Sequence, residues 1–324
     1  MSSARPAYLF LLAMAICFGG TWPAGKLAVE ELEPFTVAAA RFVLATVLLG
    51  VWAARRGSLR LPALSDLPIV LAMGATAVAG YNVLFLYGLE LAPATDGAII
   101  VPGFAPVFAV LVGWVALGER SSRRALLGLV VALAGLVAVV DPSGTVDSDR
   151  VAGAAIFMAG ALCWGIYSHI GKPATARFGA VTATFYASAV GALMLIPFSL
   201  AERGWRDLSD TGADAWLPIG YLAVFGTVLA FVFFYEGIRR IGPSPATSFA
   251  LLVPIFGVLA SVVILGEELG PNTVVGAIAV IAGLSLIQRP PLDAGSFGKR
   301  AERLGKSTDR LKVPRSPGNR AAGK

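Results

Sequence analysis

Charge is what this sequence has least of. Asp, Glu, Lys and Arg make up 14% of its 324 residues, where a soluble domain carries about 25%. Hydrophobic residues account for 56%, with a mean hydropathy of +0.76. Uncharged runs recur that, at about 1.5 Å per helical residue, are long enough to cross a hydrocarbon layer of about 30 Å. One water-soluble core could not bury so many of them, so the bilayer is the solvent. Histidine occurs once, as His169, and cysteine twice, as Cys17 and Cys163 inside apolar segments. Neither a metal site nor a disulfide framework follows from these. No Gly-x-x-x-x-Gly-Lys-Ser/Thr loop is present, which argues against direct ATP drive. Paired intramembrane carboxylates, a histidine cluster and a nucleophile motif are also missing, which disfavours a membrane-embedded enzyme. No cofactor and no metal are expected.

The formal charge of +6 is concentrated at one end. Residues 291–324, with Arg289 just before them, read as a basic disordered cytoplasmic tail. From Arg289 onward ten Lys/Arg face three acids, giving +7 there and −1 elsewhere. No aromatic platform accompanies this charge, so nucleic acid is not an expected partner and loose contact with anionic lipid is. Residues 1–25 mimic a signal peptide through Arg5, an apolar run and Ala13-Met14-Ala15. The segment has a counterpart later in the chain, which makes it part of the fold.

Apolar runs between charged or turn-rich breaks predict helices at about 7–25, 35–54, 67–90, 95–117, 123–140, 151–170, 180–200, 216–238, 245–265 and 272–288. Alternate loops and the tail collect 21 Lys/Arg on one side, against Arg150, Arg203, Arg206 and Lys26 on the other. By the positive-inside rule both termini are cytoplasmic, which requires an even number of spans.

The chain also repeats itself. Cys17, Gly19, Gly25 and Lys26 recur 146 positions on as Cys163, Gly165, Gly171 and Lys172. Pro106, Gly118, Glu119, Gly128 and Gly135 recur 148 positions on as Pro254, Gly266, Glu267, Gly276 and Gly283. Each half (1–141 and 149–290) then holds five spans. An odd number makes the halves enter the membrane in opposite senses, the inverted repeat of secondary transporters with a site near the midplane. The expected fold is all-α, an integral membrane protein with ten transmembrane helices as two inverted five-helix repeats.

At these residues the chain resembles the EamA family of the drug/metabolite transporter superfamily. The matching stretches are Phe18 through Lys26, Arg41-Phe42, Pro106 through Arg120, Cys163-Trp164-Gly165-Ile166-Tyr167, and Pro254 through Glu268. The resemblance covers residues 7–288. It implies a carrier in the bacterial cytoplasmic (inner) membrane, often an exporter of amino acids or related metabolites. Import or facilitated exchange of sugars, nucleosides or other metabolites is the alternative on the same scaffold. The first helix has no mid-span Asp or Glu, where the small multidrug carriers of this superfamily place their proton-exchanging carboxylate. Phe185 or Tyr186 stands where Arg41 would recur, so any role of Arg41 is not symmetric.

Arg41 lies roughly 9 Å into the second helix. Two readings stand: it attracts a substrate carboxylate or phosphate, or it bonds carbonyls at helix ends or snorkels. Lys26 and Lys172 read as interfacial anchors. Glu119 and Glu267 read as partners of basic residues or caps of the following helix. His169 is either structural or a proton-coupling group. Gly128, Gly135, Gly276 and Gly283 form packing strips. Pro106 and Pro254 fall near the middles of helices four and nine, as hinges beside a cavity or as tolerated bends. Phe18, Trp22, Tyr81, Tyr87, Phe104, Trp164, Tyr167 and Tyr235, with Asn82 and Thr227, suit the wall of a site for a small organic molecule. Some of these, Trp22 above all, read equally as interfacial belt residues.

Overall fold

A computed structural model of the chain describes residues 4–59, 62–117, 123–140, 147–202, 212–241 and 249–288. The basic tail, Gly118 and Glu119 lie outside these. Among the described residues the regular elements are all helical: α1 (Ala4–Gly19), α2 (Thr21–Glu31), α3 (Pro34–Arg55), α4 (Leu67–Met73), α5 (Tyr81–Leu91), α6 (Ala94–Leu117), α7 (Arg123–Val140), α8 (Ser148–Phe178), α9 (Ala180–Ala201), α10 (Ala213–Ala223), α11 (Ala230–Ile241), α12 (Leu252–Leu265) and α13 (Pro271–Gln288). A π-helical segment, Gly74–Gly80, joins α4 to α5, and a second, Val224–Leu229, joins α10 to α11. Among the described residues each expected segment falls on a helical rod; residues 245–248 of the ninth lie outside them. Seven rods are long and apolar enough to cross a membrane, and Leu126–Val139, Phe249–Leu265 and Pro271–Leu286 are shorter apolar helices.

The first rod runs past its expected end at residue 25 to Glu31, with a break at Gly20. Pro23 has no N–H to offer the carbonyl of Gly19, so one helical bond is lost there. The same turn is pressed from outside. A Cβ on Gly19 would lie 2.6 Å from Phe256 Cβ, and one on Gly20 would lie 2.1 Å from the Tyr221 hydroxyl.

α3 shows how a helix here sorts its residues. Ala38, Arg41, Ala45, Leu49 and Ala53 share one buried stripe at helical spacing, while Val43, Leu44, Val47 and Val51 are exposed on the other face. In a bilayer the exposed stripe is the lipid face. Arg41 therefore projects into protein.

Close helix pairs are made by small residues, as expected where lipid removes the hydrophobic drive for association. α7 packs along α13: a Cβ on Gly276 would lie 2.6 Å from the Gly135 carbonyl oxygen, and one on Gly283 would lie 2.5 Å from that of Gly128. The glycine strips of the two halves thus face each other. α9 meets the first π-helical segment in the same way, a Cβ on Gly191 falling 2.1 Å from Val78 Cγ1.

The expected mid-helix prolines separate in kind. Pro106 is central in α6, together with Pro102. Pro254 is instead the third residue of α12, behind a short 3₁₀ turn at Phe249–Leu251. At that place the N–H it lacks has no intrahelical partner to lose, so the mid-helix expectation for Pro254 is corrected.

Candidate functional site

Arg41 is 7% exposed. Its Nε donates to Thr227 Oγ1 (3.2 Å) and its NH1 to Asn82 Oδ1 (2.8 Å). These bonds use two of the five donors a guanidinium carries. The cation also lies 5.0 Å from the Phe42 ring centroid. Among the described residues no carboxylate pairs with it. It neither snorkels nor caps a helix end by these bonds; it is a buried charge met by two neutral side chains.

Both of those side chains belong to π-helical segments or their edges. In a π-helix the N–H of residue i bonds residue i−5, as Tyr81 does to Thr76 and Ala230 to Phe225. The widened turn leaves carbonyls needing donors. Asn82 Nδ2 donates to the Ala77 carbonyl (2.9 Å) and Thr227 Oγ1 to the Leu222 carbonyl (3.0 Å). Asn82 thus closes its wide turn with Nδ2 and accepts from Arg41 with Oδ1, whereas the one hydroxyl of Thr227 does both, donating its O–H to the turn and accepting from Arg41 at Oγ1. Such turns concentrate at functional sites. Gly226 lets the second segment approach closely: a Cβ there would lie 2.5 Å from Thr21 Cγ2 and 3.6 Å from Arg41 NH2.

A line of rings runs beside this cluster. Trp22 meets Phe85 edge-on with centroids 5.0 Å apart, Phe85 stacks on Tyr81 at 6.0 Å, Tyr81 meets Trp164 edge-on at 5.1 Å, and Trp164 lies 5.5 Å from Tyr167. Tyr81 immediately precedes Asn82, which accepts from Arg41. Trp22 is buried between Phe85 and Phe157, so it is a core residue and not part of an interfacial belt.

Arg41, Asn82 and Thr227 are therefore brought together, and Trp22, Tyr81, Trp164 and Tyr167 share, with Phe85, one line of rings that reaches the cluster at Tyr81, the residue before Asn82. Three other candidates belong to neither. Tyr87 sits six residues beyond Tyr81, where its hydroxyl donates to Glu202 (3.4 Å) and its ring meets Phe35. Phe104 is fully enclosed in the main hydrophobic core. Phe18 packs edge-on against Phe231 beside α11. The side chains of Tyr235 and Lys172 lie outside the described residues. An apolar groove of about 470 Å³ opens between the first π-helical segment and α9, lined by Phe35, Ala79, Val83, Leu195 and Phe198 among others, and Arg41 does not line it.

One end of the bundle is tied by ionic side chains that the sequence reading largely missed. Glu202, just past α9, accepts from the backbone N–H groups of Phe35 (3.2 Å) and Thr36 (3.0 Å) at the start of α3. Glu267 accepts from those of Ala94 (2.7 Å) and Thr95 (2.8 Å) at the start of α6. It does cap a helix, but one in the other half and not the next in sequence. Arg150 grips the fully buried Asp96 with two bonds (Nε 2.6 Å, NH2 2.8 Å) and also donates to the Val139 carbonyl. Lys26 donates to the Leu89 carbonyl. The signal available for Asp96 was an acid in the first turn of an apolar helix, where the dipole favours it. Elsewhere, His169 Nε2 donates to the Ala109 carbonyl (2.8 Å), the structural one of its two readings.

Comparison with known proteins gives a consistent picture. A transporter of Bacillus subtilis named YyaM is 28% identical over 286 residues, 86% of this chain and 92% of that protein. A protein of Streptantibioticus cattleyicolor, named a probable terminal-alkyne amino-acid exporter, is 28% identical and aligns over 90% of this chain and 97% of its own. The inner membrane transporter YedA of Escherichia coli K12 is 27% identical over 83% of this chain and 84% of its own. A crystal structure 22% identical in sequence shares the fold with a TM-score of 0.59, covering 88% of this chain and 97% of that one. The sequence profile of the EamA-like transporter family matches twice, over residues 5–140 and 151–289, and this chain belongs to that family.

Proposed function

We propose that the protein exports amino acids or related carboxylate-bearing metabolites across the bacterial inner membrane by alternating access, and is not an enzyme. The observation that carries this reading is Arg41: a buried guanidinium with two neutral partners, beside a line of aromatic rings, at a meeting point of both halves. An unneutralised cation in a low-dielectric site attracts an anionic group. The rings supply apolar contact for the rest of a small organic molecule. The relative named a probable terminal-alkyne amino-acid exporter supports the substrate class.

In this reading the chain has ten spans in two inverted halves, 1–141 and 149–290, and the substrate lies at the midplane between them, with Trp22, Arg41, Tyr81, Asn82, Trp164, Tyr167 and Thr227 around it. Both termini are cytoplasmic. In this orientation the ends tied by Glu202, Glu267 and Arg150 are external, and each of the three joins the second half to the first. They close the external side, and their release opens it.

The test is purified protein in liposomes, loaded in turn with radiolabelled amino acids, their amides, sugars and nucleosides. Saturable movement of amino acids, with amides much slower, is expected. Movement of sugars or nucleosides with no preference for acids would replace this substrate class by its alternative.

A further inference from the structure

The two groups that hold Arg41 are the same two that close the π-helical turns, one turn in each half. Both acceptors are neutral, an amide oxygen and a hydroxyl. A carboxylate offers a guanidinium two parallel, charge-assisted hydrogen bonds, roughly twice as strong as neutral ones. Three donors of Arg41 are not used by Asn82 and Thr227 and can draw an anion in; an anion that then takes the Nε or the NH1 donor outcompetes the neutral acceptor on it. Once released, Asn82 and Thr227 no longer link α3 to the two wide turns. A wide turn holds an extra residue relative to an α-turn, so it can shift register along its helix at small cost.

We propose that the anionic group of the substrate displaces Asn82 and Thr227 from Arg41, and that this exchange couples occupancy to rearrangement of Gly74–Gly80 and Val224–Leu229 together. The proposal rests on the carboxylate-carrier reading above and gives it a trigger. Because the two turns lie in different halves, one binding event acts on both, as alternation between halves requires.

Two substitutions at one position predict effects of opposite sign. Asn82→Asp puts a permanent carboxylate on Arg41, and affinity for amino acids should fall at least about tenfold, the scale of one charge-assisted hydrogen bond. Asn82→Leu removes a competitor, and affinity should rise by about threefold or more, even as the melting temperature falls. Thr227→Val should act as Asn82→Leu does and serves if that variant folds poorly. Affinities for the twenty L-amino acids and their amides are measured by calorimetry on the full chain in detergent. Hydrogen exchange is followed in peptides covering Gly74–Gly80 and Val224–Leu229, and a bound amino acid should change exchange in both. Acids that bind better than amides, with affinity unmoved by Asn82→Asp or with exchange unchanged in both segments, would overturn the exchange mechanism and leave the carrier reading standing. If acids bind no better than amides, or bind not at all, both ideas fail.

Discussion

Arg41 Nε and Thr227 Oγ1 stand 3.2 Å apart although 186 positions separate them in the chain. A hydrogen bond to a charged group contributes about 1.5–3 kcal/mol. With the Asn82 bond, it makes Arg41 a tie between α3, the third rod and the eighth.

Substitution of Arg41 separates its charge from its fork. Arg41→Lys keeps a cation but cannot reproduce two fixed, diverging donors, so the melting temperature in detergent should fall and transport should weaken. Arg41→Gln removes a buried charge as well as its bonds, so stability should move by only about 1 kcal/mol, while transport of acids falls more than tenfold. Unchanged transport and unchanged melting in both variants would leave Arg41 with neither role.

The pair Arg150 and Asp96 is a stability element first. Asp96 is fully buried, so Arg150→Met strands a carboxylate and should cost about 3 kcal/mol. Adding Asp96→Asn should recover part of that loss, because the orphaned charge is gone. Thermal melting of the single and double variants measures it. A double variant no more stable than Arg150→Met would mean that the pair does not act as described.

The ring line and the glycine strips should respond differently. Trp164→Ala and Tyr81→Ala are expected to reduce transport at normal folded yield, because an aromatic wall orients the ligand. Gly135→Ala and Gly276→Ala drive a methyl against backbone atoms at 2.7 and 2.6 Å, so they should destabilise by about 1–3 kcal/mol. Transport per folded molecule should be kept in the glycine variants. Size-exclusion yield and proteoliposome flux for the four proteins decide this, and wild-type flux in both aromatic variants counts against the proposed site.

Topology is open to a direct check. The 21 to 4 division of basic residues predicts that reporter fusions after Arg56, Arg124 and Lys324 read cytoplasmic and that one after Asp147 reads external. A periplasmic C-terminus would reverse the sidedness assigned to the Glu202, Glu267 and Arg150 ties.

The helical segments, the duplication and the glycine strips were legible in the sequence because each is a local or periodic signal. Charge-free length marks a helix that suits a bilayer, a fixed offset marks a repeat, and glycines seven apart mark one face. The depth of Arg41 was legible for the same reason, and Asn82 and Thr227 gather around it. Tertiary structure alone decided its company. Tyr87 and Tyr81 lie on one helix, but six residues along it carry Tyr87 out of the cluster to Glu202. Glu267 caps α6, 173 positions away, because packing and not chain order sets which helix start comes within reach. The π-helical segments share no residue signature: Gly74–Gly80 is built of small residues, whereas Val224–Leu229 includes Phe225 and Leu229. In each, a side chain, Asn82 or Thr227, satisfies a carbonyl five residues back, which is a local bond; what the tertiary structure alone decides is that both side chains also meet Arg41, because α3 packs between their rods.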